Sequence, residues 1–251
     1  MEVGHAAPGW LSSTADLEAP SKVTKASKRM SSFSDPAAVA RYAEGPPRLV
    51  PGLGDLHRMA LLLLAEGAPE DARVLVLGAG GGLELKAFAE GRPGWRFDGV
   101  DPSAEMLGLA EATLGPLASR VRLHEGTIEA APDGPFDAAS CLLTLHFLPP
   151  DERRRTVREV WRRLKPGAPF VVAHHSVPRD GRERWLRRYA AFAVASGVEP
   201  AKADGARVAI GARLPLLSPE EDEAVLREAG FPDVELFYAG FTFRGWVARR
   251  P

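Results

Sequence analysis

The stretch Arg73-Val74-Leu75-Val76-Leu77-Gly78-Ala79-Gly80-Gly81-Gly82, followed by the helical pattern of Leu83 to Glu90, decides the fold. A short aliphatic and β-branched run reads as a buried strand, and the glycines after it let the backbone turn through conformations other residues avoid. Strand, turn and helix in that order open a parallel α/β unit. The same alternation extends outward on the C-terminal side. Trp95 to Val100 reads as a second strand, which stops at Asp101-Pro102-Ser103, where Ser103 can cap a helix running to about Leu114. Val121 to Glu125, Phe136 to Leu142 and Phe170 to Ala173 read as three further strands.

Between the last two strands, Asp151 is placed to cap a helix whose apolar residues Val157, Val160, Trp161 and Leu164 share one face, with Lys165-Pro166-Gly167 as its stop. Arg153, Arg154, Arg155, Arg158, Arg162 and Arg163 are assigned to the opposite, solvated face. Arg182 to Ser196 carries Trp185, Tyr189, Phe192 and Val194 at helical spacing, and a Gly- and Ala-rich stretch follows to Arg213. Residues 180–217 thus read as a helical insertion or lid. Ser218-Pro219-Glu220-Glu221 has the pattern of a capping box, and Gly230 ends that helix. Val234 to Tyr238 and Thr242 to Ala248, joined through Gly240, read as an antiparallel hairpin that closes the sheet.

The fold class is therefore α/β, a Rossmann-like mostly parallel sheet with helices on both faces and a C-terminal antiparallel hairpin. Upstream, Leu56 to Ala65 is apolar on most faces, as suits a helix buried against a sheet, and a helical pattern begins at Pro36. Residues 1–32, rich in Ser, Ala and Lys, read as a flexible tail, leaving 33–251 as one catalytic domain.

Composition narrows the function. With 32 Lys and Arg against 33 Asp and Glu, the chain lacks the positive excess that general nucleic-acid binders use to neutralise phosphates. The lone Cys141 lies in an apolar run and reads as a small core residue. No apolar run reaches the roughly 18 residues of a membrane span, and the N-terminus has no signal-peptide pattern, so a cytoplasmic location is expected. Neither histidine spacing nor a cysteine cluster suggests a metal site.

The glycine turn can bring backbone close to a ligand and point N–H groups at it. Leu83 stands where the last glycine of G-x-G-x-x-G would fall, so Gly78, Gly80 and Gly82 form G-x-G-x-G instead. About 19 residues beyond Gly82, Asp101 ends the second strand, where a carboxylate can accept hydrogen bonds from both hydroxyls of a ribose. No basic cluster follows it, which suits a nucleoside with a free 2′-hydroxyl.

On these residues, together with Gly99 to Leu107, Phe136-Asp137 and Leu164-Lys165-Pro166-Gly167, the chain resembles the class I S-adenosylmethionine-dependent methyltransferases from about Phe33 onward. The resemblance implies a seven-stranded sheet with an antiparallel last strand. It implies that backbone around Gly78, Ala79 and Gly80 faces the methionine part of the cofactor, that Asp101 holds the ribose, and that Pro102 and Met106 flank the adenine. Gly126, Thr127 and Ile128 would complete the adenine pocket, with Thr127 replacing the acidic residue common there. Val76 replaces the usual acid of the first strand.

The chain is also similar to the carboxy-S-adenosylmethionine synthases of tRNA modification, in Val50-Pro51-Gly52, in Thr144 to Leu148 through Lys165-Pro166-Gly167, and in Ala229-Gly230-Phe231 to Ala248. Leu53 and Leu142 stand where that family's pattern has Tyr and Asn, with Leu142 still falling among the cofactor contacts. Arg207 and Arg213 lie near the place of its carboxylate-gripping arginine.

The expected activity is methyl transfer from S-adenosylmethionine to a small-molecule acceptor, releasing S-adenosylhomocysteine, by a monomer or homodimer. His146, after the fourth strand, is the candidate base. His174, His175, Trp185 and Tyr189, with Arg207 and Arg213, are candidate acceptor contacts. A carboxylated cofactor, a nicotinamide-dependent oxidoreductase and a binding protein without catalysis are the competing readings.

Overall fold

The computed structural model describes residues 43–251, so the expected tail and the pattern from Pro36 lie outside the described residues. A 13-residue helix, α1 (Leu53–Ala65), precedes the first strand. The order then runs β1 (Arg73–Leu77), α2 (Leu83–Gly91), β2 (Arg96–Asp101), α3 (Ala104–Leu114), β3 (Val121–Glu125), β4 (Ala138–Leu142), α4 (Pro150–Arg163) and β5 (Pro169–His175). After it come α5 (Arg182–Ala195), α6 (Pro200–Arg213), α7 (Pro219–Glu228), β6 (Val234–Gly240) and β7 (Phe243–Arg249).

The seven strands form one sheet in the order β3-β2-β1-β4-β5-β7-β6. All pairs among β1 to β5 are parallel, and β7 enters antiparallel between β5 and β6. The chain leaves β1 toward β2 on one side and reaches β4 on the other. That reversal of strand order opens a crevice at the carboxyl edge, where ligands of such sheets bind.

Side chains alternate across each strand, so the sheet divides two cores. Val74 and Val76 face the core made by α1, α2 and α3, which Tyr189 and Ala193 of α5 also join. Leu75 and Leu77 face the core made by α4 and α7, with Val157, Val160, Val225 and Leu226. Both faces being covered explains why β1, β4 and β5 are almost wholly apolar. Cys141 is buried among them.

Local signals account for several helix ends. Ser103 Oγ accepts from Met106 N–H, as the sequence suggests. Ser218 and Glu221 form a complete capping box, with Pro219 at the first helical position. Ser218→Ala is expected to cost about 1 kcal/mol, read as a lower urea midpoint with unchanged slope.

Two expectations are corrected. Helix α4 starts at Pro150 after Pro149, and Asp151 sits inside its first turn without capping it. Nor are the arginines of α4 all solvated, since Arg153 is completely buried and Arg163 nearly so. Arg153 is held by Asp222 of α7 at 2.6 Å, while Arg163 pairs with Glu159 one turn earlier. The Gly- and Ala-rich stretch before Arg213 is itself a helix, α6, because Glu199 accepts from the N–H groups of Ala201 and Lys202 and Pro200 takes the first position.

Candidate active site

The glycine turn leaves β1 at the carboxyl edge. Gly78, Gly80 and Gly82 have φ of +78°, +49° and +84°, values that cost an L-residue about 1–2 kcal/mol. At Gly78 the missing side chain also admits a neighbour: a Cβ there would lie 1.9 Å from Thr144 Oγ1. Gly82 is constrained differently, because a Cβ would meet the Ala110 backbone of α3 at 2.8 Å. Gly82 thus lets α2 and α3 pack closely, while Gly78 forms the face turned to the loop after β4.

Asp101 ties the neighbouring loops together. Its Oδ2 accepts from Gly80 N–H at 2.9 Å and its Oδ1 from Ser103 N–H at 3.0 Å. Its backbone carbonyl accepts from Gly126 N–H at 3.0 Å. The glycine turn, the start of α3 and the loop after β3 therefore meet at one half-buried carboxylate. Burial raises its pKa, and the hydrogen bonds from Ser103 and Gly80 oppose the rise. Ala79 is buried in the turn, Pro102 is exposed and Met106 half-buried beside Asp101. In the third loop, Ile128 is buried, while exposed Thr127 donates to Glu129.

On the β4 side, Leu142 is buried and its carbonyl accepts from Thr144 Oγ1 at 3.0 Å. Leu143 holds φ of +59°, an unusual conformation for leucine, at the bend between them. A second carboxyl lies on this side. Glu84, in the first turn of α2, accepts from Ser140 Oγ on β4, and burial pushes its pKa up to about 8.

The histidines divide between the two faces of the sheet. His146 and His175 lie together, with ring centres 4.8 Å apart, and His175 N–H donates to His146 Nδ1 at 3.3 Å. His175 packs on Phe243 at 4.0 Å and on Tyr189 of α5 at 5.4 Å, and its Nδ1 lies 2.9 Å from Thr242 Oγ1. His174, the preceding residue of β5, points the other way, 3.1 Å from Asp222 and near Trp246. It therefore does not share a face with the other two.

Burial holds His146 well below the ordinary imidazole value and pushes His175 down to about 3, with the neighbouring histidines adding to both shifts. Burial alone takes His57 of α1 down to about 4. These imidazoles stay neutral when folded but gain protons when unfolded below the ordinary value of 6.5. Their contribution to stability therefore falls as pH drops from 6.5 toward 4. The melting temperature is expected to decline through that window, above the carboxylate range.

Among the remaining candidates, Tyr189 is buried, and Trp185 lies half-exposed under Arg188 and Arg244, 4.5 and 5.6 Å from its ring centre. Arg207 lines a shallow groove between α5 and α6 and is bound by Asp204 at 2.7 Å and by Glu183. Arg213 is exposed at the end of α6. Sequence reasoning missed Glu84 and Thr144. Thr144 follows a strand end at the carboxyl edge, which is a usable signal, whereas no local pattern distinguishes Glu84 within the helical stretch Leu83 to Glu90. Among the described residues, no group of three or more His, Cys, Asp or Glu is placed to hold a metal, and no helix is long and apolar enough to cross a membrane.

Comparison with known proteins agrees with this geometry. The family profile described as a methyltransferase domain matches residues 74–167, from β1 to the turn before β5. The carboxy-S-adenosyl-L-methionine synthase of Chromohalobacter salexigens is 30% identical over 227 residues, which span 88% of this chain and 84% of the relative. Among solved structures, an O-methyltransferase family protein from Burkholderia thailandensis matches with a TM-score of 0.57 at 16% identity, over 87% of this chain and 61% of its own longer chain. The [4+2]-cyclase SpnF matches with a TM-score of 0.57 at 20% identity, over 78% of this chain and 80% of its own, so the fold also serves other chemistry. Fold order, glycine turn, strand-end aspartate and near full-length similarity together show that the chain belongs to the S-adenosylmethionine-dependent methyltransferase family, with its likeness extending along the carboxy-S-adenosyl-L-methionine synthases.

Proposed function

We propose that this chain transfers the methyl group of S-adenosylmethionine to a small, partly apolar acceptor at the carboxyl edge of β1, β4 and β5. The observation that carries the reading is the Asp101 carboxylate, joined to the glycine turn through Gly80 N–H at 2.9 Å. It supports one nucleoside site built from two consecutive strands. The donor set fits the cofactor: a half-buried carboxylate for ribose hydroxyls, a turn whose glycines permit close backbone approach, and Met106 and Ile128 as apolar neighbours for a base.

When bound, S-adenosylmethionine supplies the reactive methyl carbon and the leaving thioether. The chain's own residues supply alignment, which accounts for much of the acceleration in such displacements. Asp101 would orient the ribose, and the bend from Leu142 to Thr144 would wall the space opposite the turn. His146, His175 and Tyr189 form a wall that is uncharged at neutral pH, since burial lowers both imidazoles and raises the phenol. Such a wall suits an apolar acceptor, with His146 as the candidate base. A bacterial, cytoplasmic setting goes with this reading, and the bacterial relatives support the first part.

Asp101→Ala is expected to weaken S-adenosylhomocysteine binding roughly ten- to hundredfold in calorimetry, the worth of a charge-assisted hydrogen bond. Binding of a nicotinamide nucleotide without S-adenosylhomocysteine would overturn the reading.

The full-length likeness to a carboxy-S-adenosyl-L-methionine synthase supports a second reading, use of a carboxylated cofactor. Against it, the Arg207 charge is already met by Asp204 and Glu183. Mass spectrometry of nucleosides released from the purified protein separates the two, because carboxylation adds a fixed mass.

A further inference from the structure

The turn is flanked by two carboxyl groups, and the proposed function uses only one. Asp101 lies on the β2 side, where both its oxygens accept backbone N–H groups. Glu84 lies on the β4 side, tied to Ser140. Ser140 is the register partner of Val76 across the parallel β1–β4 pair, so Glu84 reaches the strand position two residues before Gly78. Val76 itself is a fully buried hydrocarbon. The acid that β1 lacks is thus present at the same level of the sheet, delivered from the first turn of α2.

Glu84 is an unusual residue to bury there. Its exposure is 6%, and no cationic side chain among the described residues pairs with it. A carboxyl in such a place stays neutral or finds a cation, because an isolated buried charge is strongly disfavoured. Any ligand whose nucleoside end is held at Asp101 and whose amino-acid end crosses the turn toward β4 brings an ammonium group to this side. That ammonium needs a counter-charge once out of water.

Building on the S-adenosylmethionine reading, we propose that Glu84, oriented by Ser140, is the counter-ion for the α-ammonium of the cofactor, a positioning residue that takes over from the absent acid at Val76. Free Glu84 is mostly protonated at neutral pH, with its pKa near 8. Pairing with the ammonium ionises it, and the proton passes to the buffer. Binding of the amino-acid end is thereby linked to release of about one proton at neutral pH.

The test uses the full chain, titrated with S-adenosylhomocysteine and with 5′-methylthioadenosine, which keeps the nucleoside but lacks the amino-acid end. Calorimetry in two buffers of different ionisation enthalpy reads affinity and proton release together. Glu84→Gln keeps the shape and hydrogen bonding of the neutral acid, so the fold is retained. The variant is expected to bind S-adenosylhomocysteine roughly ten- to hundredfold more weakly and methylthioadenosine unchanged, with proton release abolished. Unchanged affinity for S-adenosylhomocysteine, or equal losses for both ligands, would overturn the assignment while leaving the cofactor site intact. A wild-type chain that binds neither ligand would instead remove the cofactor reading, and Glu84's role with it.

Discussion

Asp222→Ala is expected to destabilise the protein by about 3–5 kcal/mol, the cost of leaving a buried charge without its partner. Arg153 is wholly buried in α4, and its Nη1 donates to Asp222 Oδ1 of α7 at 2.6 Å, while Nη2 reaches the Pro215 carbonyl at 3.1 Å. Removing the carboxylate leaves the guanidinium in a dry site beside His174. A neighbouring pair gives the control: Arg154 and Glu228 also bridge α4 and α7, at 3.0 Å, but in solvent. Glu228→Ala should therefore cost no more than about 1 kcal/mol. Urea unfolding of both variants measures the contrast, and similar midpoints would show that Arg153 finds another anion or water.

The sign of the pH effect also follows. Burial works to raise the Asp222 pKa, but His174 and Arg153 outweigh it and hold the carboxyl below the ordinary 3.8. A carboxyl depressed in the folded state contributes stability that is present above 3.8 and lost as pH falls through the lower folded value. In wild type this acid loss comes after the histidine decline that begins near 6.5, and Asp222→Ala should remove only the later phase.

Gly78→Ala should abolish measurable binding of S-adenosylhomocysteine, a loss of at least about a hundredfold, while the domain still folds. The backbone at φ +78° disfavours alanine by about 1–2 kcal/mol. The larger effect is steric, because the new methyl would overlap Thr144 Oγ1 at 1.9 Å, with Thr144 Cβ and Cγ2 both at 2.7 Å. Either Thr144 turns into the space over the turn or the turn shifts, and both disturb the surface assigned to the cofactor. Pairing it with Thr144→Ala removes the Oγ1 and Cγ2 contacts but leaves Thr144 Cβ at 2.7 Å and the backbone conformation unrelieved, so only slight recovery is expected. Full affinity in Gly78→Ala alone would show that the cofactor does not approach this side of the turn. Far-ultraviolet circular dichroism and the melting temperature confirm folding in each case.

Much of the frame was legible because its causes are local. The aliphatic run Val74 to Leu77 ending in glycines, Ser103 before an apolar helix, and the Ser218-Pro219-Glu220-Glu221 box each act within a few residues, and each forms as read. The expected site residues divide more unevenly. Gly80, Asp101 and Gly126 come together because the carboxyl ends of adjacent parallel strands must converge. His174 and His175 are both candidate acceptor contacts by sequence, but consecutive residues of a strand point to opposite faces, and only His175 joins His146.

From the amino-acid sequence alone follow the alternation of strands and helices, the turn G-x-G-x-G, the aspartate after it and the closing hairpin. All of these depend on periodicity, caps and glycines, whose physics extends over one turn or one strand. The destinations of the buried charges were decided only by tertiary structure. Arg153 looked like one more member of a solvated arginine stripe until Asp222, 69 residues later, packed against it. Glu84 sits in the helical stretch Leu83 to Glu90 with no local mark of burial, yet it is buried and bonded to Ser140, 56 residues later. Desolvation and pairing depend on which distant element covers a side chain, and no local pattern around Arg153 or Glu84 encodes that partner.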